Sequence, residues 1–518
     1  MVSRTRLSEG PRVAPGRPAA RPAQAAPSER SSAPVTVEPG LRPASSLETY
    51  ARKLSAPAVR PAQAAGPAFD ADVVVVGAGW AGLSAARALL DAGVRTQVLE
   101  ARSEVGGRIR TDTTSLSIPF DHGAAWIHSW RDDQGRPVNP LTAKAIAAGI
   151  PLSETTLTST LYVGDRKATP EELAAFNATL EKYDELISTA AEQGLDVPVA
   201  SLLPKDALPF AAEAKADLGE LDMGQSLEVL SSKDTGLQNM TGHDALPATG
   251  QLAVLQATVG DVPVRTDTPV KKVKATQGGF EVTTASGEVI RARRVLLTVS
   301  TGILASGKIE FDPPLPKWKT DAIRALPMAL LDKVAIEFDE NVFRFADGTE
   351  QTINDWVVAK GGPGERPEAF LMRPGGANIA VGFAGGNDAL KLERKSDAEL
   401  VAHYLEKLER VFGPDLDRHV KGSVVTRWAQ DEWTLGSYSY AKPGMAAMRE
   451  KLRQPIDDRL YFAGEATAPA ENAQMIHGAH QSGLSAASAL IESLAREDVA
   501  HAGLNARQAT LGFEAVGA

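Results

Sequence analysis

Residues 73–108 hold the densest chemical signal in the chain: VVVVGAGWAGLSAARALLDAGVRTQVLEARSEVGGR. Four valines run into Gly77, Gly79 and Gly82, and an apolar-periodic helix follows, so the pattern reads strand, glycine turn, helix. Gly77 suits a tight turn, Gly79 lets backbone N–H groups approach a pyrophosphate, and Gly82 lets the helix pack close to the sheet. A second strand, Thr96–Leu99, ends at Glu100, where a carboxylate accepts both ribose hydroxyls of an adenine dinucleotide. Glycines also make ordinary structural turns; strand, helix and acidic residue in their places together favour a nucleotide site. A second chemically loaded group is Lys333, set in the apolar run ALLDKVAI. Such a lysine must reach water, reach a partner or shift its pKa, and a strand-edge lysine snorkelling to solvent is the plain alternative.

These groups need a large scaffold, and the composition supplies one. The 518 residues are 43% hydrophobic, enough for two or three domains with a sizeable core. No apolar run approaches the roughly 20 residues that span a bilayer, so no membrane partner is expected. The formal net charge of −10 speaks against a nucleic-acid partner and favours, as a weak long-range tendency, a cationic substrate. There is no cysteine, which excludes disulfides, thiolate nucleophiles, cysteine-ligated zinc and a cysteinyl cofactor link within the chain. No metal site is expected. A chain without thiols fits any redox poise, so cysteine usage leaves the compartment undecided; a cytoplasmic location is the working expectation, with a targeting role for the N-terminal tail as the alternative.

Residues 1–68 are rich in Pro, Ala, Arg and Ser and read as a disordered or targeting tail, with a short helix over 46–54. The first part of the nucleotide domain occupies 69–150, including a helix that Asn139 and Pro140 start and Gly149 ends. From 151 to 250 the pattern is helical, with a long amphipathic helix from Pro170; it reads as an insertion that walls a substrate cavity or serves structure alone. The chain turns β-rich at Val264, and 251–310 returns to the nucleotide domain. A substrate domain follows over 311–425, where a proline-bounded helix precedes the Lys333 strand and a helix spans Asp397–Phe412. Residues 426–495 complete the nucleotide domain with a strand ending at Gly464 and Glu465 and a helix over 476–494, whose N-terminus suits a second part of the cofactor. A tail over 496–518 ends the chain.

Several distant motifs agree with one family. GAGWAG with Glu100, GGR at 106–108, HGAAWIH at 122–128, FDPPLP, LDKVAIEF, RWxxDxWxxGSYSY, and FAGEAT followed by HGAxxSG resemble the flavin-containing amine oxidases, most closely their polyamine oxidase and lysine-specific histone demethylase branch. The resemblance covers about residues 70–495. It implies an α/β fold, a Rossmann-type FAD-binding domain with a mixed-sheet substrate domain and a helical insertion, and noncovalent FAD in extended form.

On that resemblance Gly77, Gly79 and Gly82 hold the pyrophosphate with Ala81 beside them, Glu100 and Ala101 the adenosine ribose, and Val270 the adenine through its backbone. Gly107 and Arg108 lie near the ribityl-phosphate, Gly464 and Glu465 hold the ribityl or phosphate portion, and Ile476 presents its N–H to the flavin pyrimidine edge, where reduction places negative charge. Gly123, Ala124 and Trp126 of the HGAAWIH motif belong to the same wall. Trp428 and Trp433 pack beside the isoalloxazine, or serve as ordinary core. The plain alternatives are an ion pair for Arg108 and Glu465 and a core strand residue for Val270. Lys333 matches a lysine that reaches flavin N5 through a water. Tyr438 matches one of two aromatic walls around the amine; Met475 stands opposite, so small-arylamine specificity is doubtful. Ser437 falls where the monoamine branch attaches flavin through cysteine. His128 matches a His or Glu that meets a substrate amino group. His477 braces the last helix. His122 stands where the family has an apolar residue, and the sequence offers no account of it.

The implied activity is oxidation of a small amine, polyamine-type or another alkylamine. The neutral amine loses hydride from the adjacent carbon to flavin N5, the imine hydrolyses, and O2 reoxidises the flavin to give H2O2. An L-amino-acid oxidase or biosynthetic tailoring oxidase on the same scaffold stays open, for which a carboxylate-binding arginine is diagnostic. So does a non-catalytic binding or escort protein. A homodimer is neither required nor excluded.

Overall fold

The computed structural model describes residues 69–155, 159–238, 243–362 and 365–515. The tail over 1–68, with its expected helix at 46–54, lies outside the described residues. Two large sheets organise the rest. In the eight-stranded sheet, Ala71–Val76 lies parallel between Thr96–Leu99 and Val289–Leu297. All six of its residues are buried, as expected of a valine run covered on both faces. Val289–Leu297 pairs antiparallel with Phe280–Thr284 over its first half and parallel with Leu460–Phe462 over its second. The three sequence segments assigned to the nucleotide domain therefore share one sheet.

Helix Trp80–Asp91 covers this sheet and is crossed by the last helix, Ile476–Ala515. The crossing is close because Gly483 has no side chain; a Cβ there would lie 2.2 Å from the Ala81 carbonyl oxygen. The last helix continues beyond the expected end near residue 494, so residues 495–515 are helical and not a separate tail. The stretch AREDVAHAGLNARQA contains no helix-breaking proline, which explains the extension.

The second, seven-stranded sheet runs Val420–Val425, Leu331–Phe338, Ile379–Gly385, Glu368–Met372, Asp355–Ala359, Thr160–Val163, Arg166–Lys167. Its second strand, Leu331–Phe338, is buried along all eight residues. Alternation places Val334, Ile336 and Phe338 in one core with helix Asp397–Phe412, and Leu331 and Ala335 in the other. Lys333 therefore faces away from that helix. Helix Asp397–Phe412 begins with a Ser396/Glu399 capping box and presses Tyr404 onto Gly382 so closely that a Cβ there would meet the ring at 2.2 Å.

The block over 151–250 departs from a purely helical reading. Helix Pro170–Glu192 forms as expected, with a Thr169/Glu172 capping box. The block also gives Thr160–Val163 and Arg166–Lys167 to the seven-stranded sheet, and Leu152–Glu154 and His243–Pro247 to a small sheet with Ile127–Arg131. These strands are two to five residues long, too short for periodicity to reveal.

Candidate active site

Between the two sheets lies a cavity of about 370 Å³, within the size range of small-molecule sites. Its dinucleotide end is made of backbone. Gly77 has φ +104°, and a Cβ on it would sit 2.7 Å from Thr298 Oγ1. Gly79 precedes helix Trp80–Asp91, which has no side-chain N-cap and no acid in its first turn, so its free N–H groups await an anion. Gly82 does not line the cavity. It packs behind the turn, where a Cβ would lie 2.0 Å from the Gly77 carbonyl oxygen, so its part is helix-to-strand contact. Glu100 is buried, and its oxygens accept from Ala78 N at 2.7 Å and Arg102 N at 3.0 Å, which orients the carboxylate at the cavity edge. Ala81, Ala101, Gly107 and Val270 line the same end.

Midway, Arg108 and Glu465 form an ion pair at 2.8 Å. This is the ion-pair alternative, but it is not a surface feature. Glu465 is buried, also accepts from Ser439 N and Oγ, and lines the cavity together with Arg108. Burial alone would push its carboxyl up; Arg108 and Arg449 outweigh that and hold it below the ordinary carboxylate value. Arg449 is itself anchored to Asp234 at 2.5 Å. Gly464, Ala124 and Ile476 border this region, as does Gly123, where a Cβ would collide with the Arg108 carbonyl oxygen at 1.8 Å.

The far end is made of side chains. Lys333 Nζ donates to Asp121 O at 2.9 Å and Gly123 O at 2.6 Å and lies within 6 Å of the Phe120, Trp126 and Phe383 rings. Burial pulls its pKa down from the usual lysine value, with Asp121 opposing. Two carbonyls leave one Nζ position for the cavity, which Lys333 also lines. Tyr438 is buried and spends its hydroxyl on Asp222 O at 2.7 Å, so its ring is what the cavity meets. Met475 is buried nearby and Trp428 donates Nε1 to His122 O at 3.3 Å. Trp433 lines the cavity beside Lys308, whose Nζ is 5.1 Å from the ring centroid.

His128 stacks on Trp126 and directs Nδ1 to Asp244 Oδ2 at 2.8 Å; Asp244 Oδ1 accepts from Ser129 N at 2.7 Å. A carboxylate at Nδ1 makes that nitrogen the protonated one and leaves the Nε2 lone pair free. His122 lines the cavity with Nε2 sealed and 3.7 Å from Asp112 Oδ2. Burial, Arg110 and Lys333 push its pKa below the usual histidine value despite Asp112. His477 accepts or donates to Asn139 and Asn472, both at 3.2 Å, a bracing arrangement.

Every residue proposed for the site except Gly82 thus borders one cavity. Sequence reasoning missed Asp244, Asp121, Ser439, Arg449 and Trp80. Trp80 sits inside the GAGWAG turn, lines the cavity and has a buried Nε1 without a partner, so its position in the motif was the available signal. Ser439 lies inside the GSYSY motif and Asp121 directly precedes HGAAWIH, so the same signal was available for them, whereas Asp244 and Arg449 reach the site only through tertiary pairing. Glycines without room for Cβ, an uncapped helix N-terminus and a buried acid at the second strand end fit a flavin dinucleotide.

Comparison with known proteins agrees with that geometry. The family model "Flavin containing amine oxidoreductase" matches residues 80–231 and 226–491. The chain is 30% identical over 447 residues to polyamine oxidase 4 of Oryza sativa subsp. japonica, covering 80% of this chain and 87% of that one. It is 29% identical over 444 residues to polyamine oxidase 2 of Arabidopsis thaliana, with the same coverage. Lysine-specific histone demethylase 1 homolog 2 of Oryza sativa is 30% identical over 459 residues, and the match spans only 57% of that longer protein. Among solved structures, wild-type putrescine oxidase bound to putrescine superposes with a TM-score of 0.65 at 21% identity, over 82% of this chain and 99% of that one, a likeness of fold.

Proposed function

Because this chain belongs to the flavin-containing amine oxidoreductase family, we propose that it is an FAD-dependent oxidase of polyamine-type or other alkylamines, using dioxygen as acceptor. The observation that carries this reading is the far end of the cavity. It combines aromatic walls, a buried lysine and a carboxylate-oriented histidine and, among the described residues, no arginine free to bind a substrate carboxylate. The arginines bordering the cavity are Arg102, paired with Asp431 at 2.5 Å, and Arg108, paired with Glu465. An amino-acid substrate would need one of them. Both are spent.

Bound FAD supplies the two-electron acceptor for hydride from the carbon beside the amine nitrogen, and dioxygen receives the electron pair as hydrogen peroxide. The protein's own groups do the rest. Backbone N–H groups at Gly79 and the helix start hold the pyrophosphate, Glu100 the ribose, and Val270 the adenine edge. The Arg108–Glu465 pair orients the ribityl region, and the Ile476 helix start directs its N–H at the pyrimidine edge. Lys333 keeps a proton at Nζ next to the reacting face, pinned by two carbonyls. His128 Nε2 accepts an N–H of the incoming neutral amine, while Tyr438 and Met475 exclude water from it. The imine product hydrolyses in solvent. A thioether link to FAD is excluded, since the chain has no cysteine, and noncovalent binding is the reading we adopt.

Anaerobic mixing with a panel of diamines, polyamines, aryl-alkyl amines and amino acids tests the proposal. Bleaching of the flavin by polyamines or alkylamines is expected. Bleaching by amino acids alone rejects it.

A further inference from the structure

On the face of strand Leu331–Phe338 opposite Lys333, two carboxyl groups have an incomplete hydrogen-bond balance. Asp332 is 6% exposed and Glu393 5%. Asp332 Oδ1 accepts from Trp428 N at 2.9 Å and Thr426 Oγ1 at 3.0 Å, and Glu393 Oε1 accepts from Ala429 N at 2.7 Å. The two carboxyls thus hold consecutive peptide N–H groups of one loop, and they face each other within hydrogen-bonding reach. Their remaining oxygens, Asp332 Oδ2 and Glu393 Oε2, are both sealed from solvent and meet no donor. Two buried anions side by side, each short of a donor, are far from an energy minimum.

Among the described residues no cation relieves them. Arg427 commits its guanidinium to Glu393 O, Lys395 O and Asp397. Lys391 and Asp388, on the helix that precedes Glu393, pair with each other, and Asp388 also meets Arg366. From helix Asp397–Phe412 the titratable neighbour is Tyr404, close to both Glu368 and Asp332, while His403 pairs with Glu368. Leu330, Ala384, Ala389 and Trp428 form the apolar surroundings. The missing donor is a proton.

We propose that Asp332 and Glu393 share one proton, and that the resulting carboxyl–carboxylate hydrogen bond positions Trp428 against the cavity. Trp428 is the residue this bond can fix: Asp332 holds its N–H, His122 O holds its Nε1, and its ring lies where a Gly123 Cβ would be only 3.1 Å away. The consequence for cofactor retention rests on the flavin reading above; the shared proton does not. Burial first, and then Glu393, push the Asp332 carboxyl well above the usual carboxylate range. With the folded value raised above the unfolded one, the stabilisation is complete in acid and is lost as pH rises toward the folded value. Above that value the folded pair is doubly charged and the loop loses its clasp.

Asp332→Asn tests this, because an amide keeps the acceptor for Trp428 N and gives Glu393 Oε2 a permanent N–H donor. For the holoenzyme, the thermal midpoint of D332N relative to wild type rises by several degrees between about pH 5 and about pH 9. Wild type releases flavin at alkaline pH and D332N retains it. Infrared spectroscopy of wild type at neutral pH shows a protonated-carboxyl band that disappears in D332N and, independently, in Glu393→Gln. Absence of that band, or an alkaline release of flavin by D332N equal to that of wild type, overturns the proposal. A protein that shows the band and the pH-dependent midpoint difference but never carries flavin overturns the oxidase reading and leaves the shared proton supported.

Discussion

At the dinucleotide end, the cavity is lined chiefly by main chain of one short stretch, Gly77 to Arg108, with the Glu100 carboxylate set into it, joined by Val270 and the Gly464 corner. At the amine end they are side chains from five separated places: His128, Lys333, Trp428, Tyr438 and Met475. The first kind of site is made by excluding side chains, since a Cβ at Gly82 or Gly123 would lie 2.0 or 1.8 Å from a carbonyl oxygen. The second is made by burying polar side chains and then orienting each one with a partner: Asp121 and Gly123 carbonyls for Lys333, Asp244 for His128, Asp222 for Tyr438. Backbone sites therefore tolerate no addition, while side-chain sites respond in proportion to what the orienting partner does.

The largest effect should come from breaking the first rule. Gly123→Val forces the Arg108 carbonyl and the Trp428 ring apart at an expected cost of about 3 kcal/mol or more; the purified protein should lack the yellow flavin absorbance and melt earlier. Retained flavin at normal stability would refute the packing argument. At the other end, Lys333→Met keeps the volume of the strand residue but removes the Nζ proton. Flavin reduction and reoxidation should slow by about 100-fold in stopped-flow measurements, with FAD still bound.

Next in size is the orienting carboxylate. Asp244→Asn is nearly isosteric and leaves His128 free to adopt either tautomer; a loss of about 1.5 kcal/mol, or roughly tenfold in kcat/KM, is expected with KM carrying part of it. An unchanged kcat/KM across the pH range would remove His128 from substrate recognition. The buried His477 gives a pH-dependent contrast. Burial chiefly, with His128 and His480 nearby, lowers its pKa to about 3. The folded value is depressed below the unfolded one, so its contribution to stability is present above about pH 6.5 and is lost as pH falls toward the folded value. His477→Gln should flatten the acid limb of the thermal midpoint while leaving the neutral region little changed.

Tyr438→Phe should do least. Its hydroxyl serves Asp222 O and the ring is the wall, so kcat/KM should fall by less than about threefold and stability by about 1 kcal/mol. A large kinetic loss would show that the hydroxyl, and not the ring, meets substrate.

The two ends also differ in how far they were legible. Glycine spacing, the valine strand and Glu100 interact within a span of about thirty residues, so their pattern survives in one dimension. Trp126, His128, Lys333 and Tyr438 were legible by resemblance to whole motifs, and the cavity gathers them. Asp244 was not: it reaches His128 because His243–Pro247 pairs antiparallel with Ile127–Arg131, a five-residue strand in a block that reads as helical. Gly82 was placed among the phosphate-binding glycines and also as a packing residue; the packing part is the one its surroundings require.

The amino-acid sequence alone determined the nucleotide turn, the absence of any thiol chemistry and the family, because these depend on local backbone freedom or on residue types present or absent. Tertiary structure decided which charges remain available. Arg108 and Arg102 are spent on Glu465 and Asp431, His128 is turned by Asp244, and Asp332 meets Glu393. The physical reason is that the protonation and direction of a buried polar group follow from its nearest partners, and sheet register and helix packing bring those partners from more than fifty residues away.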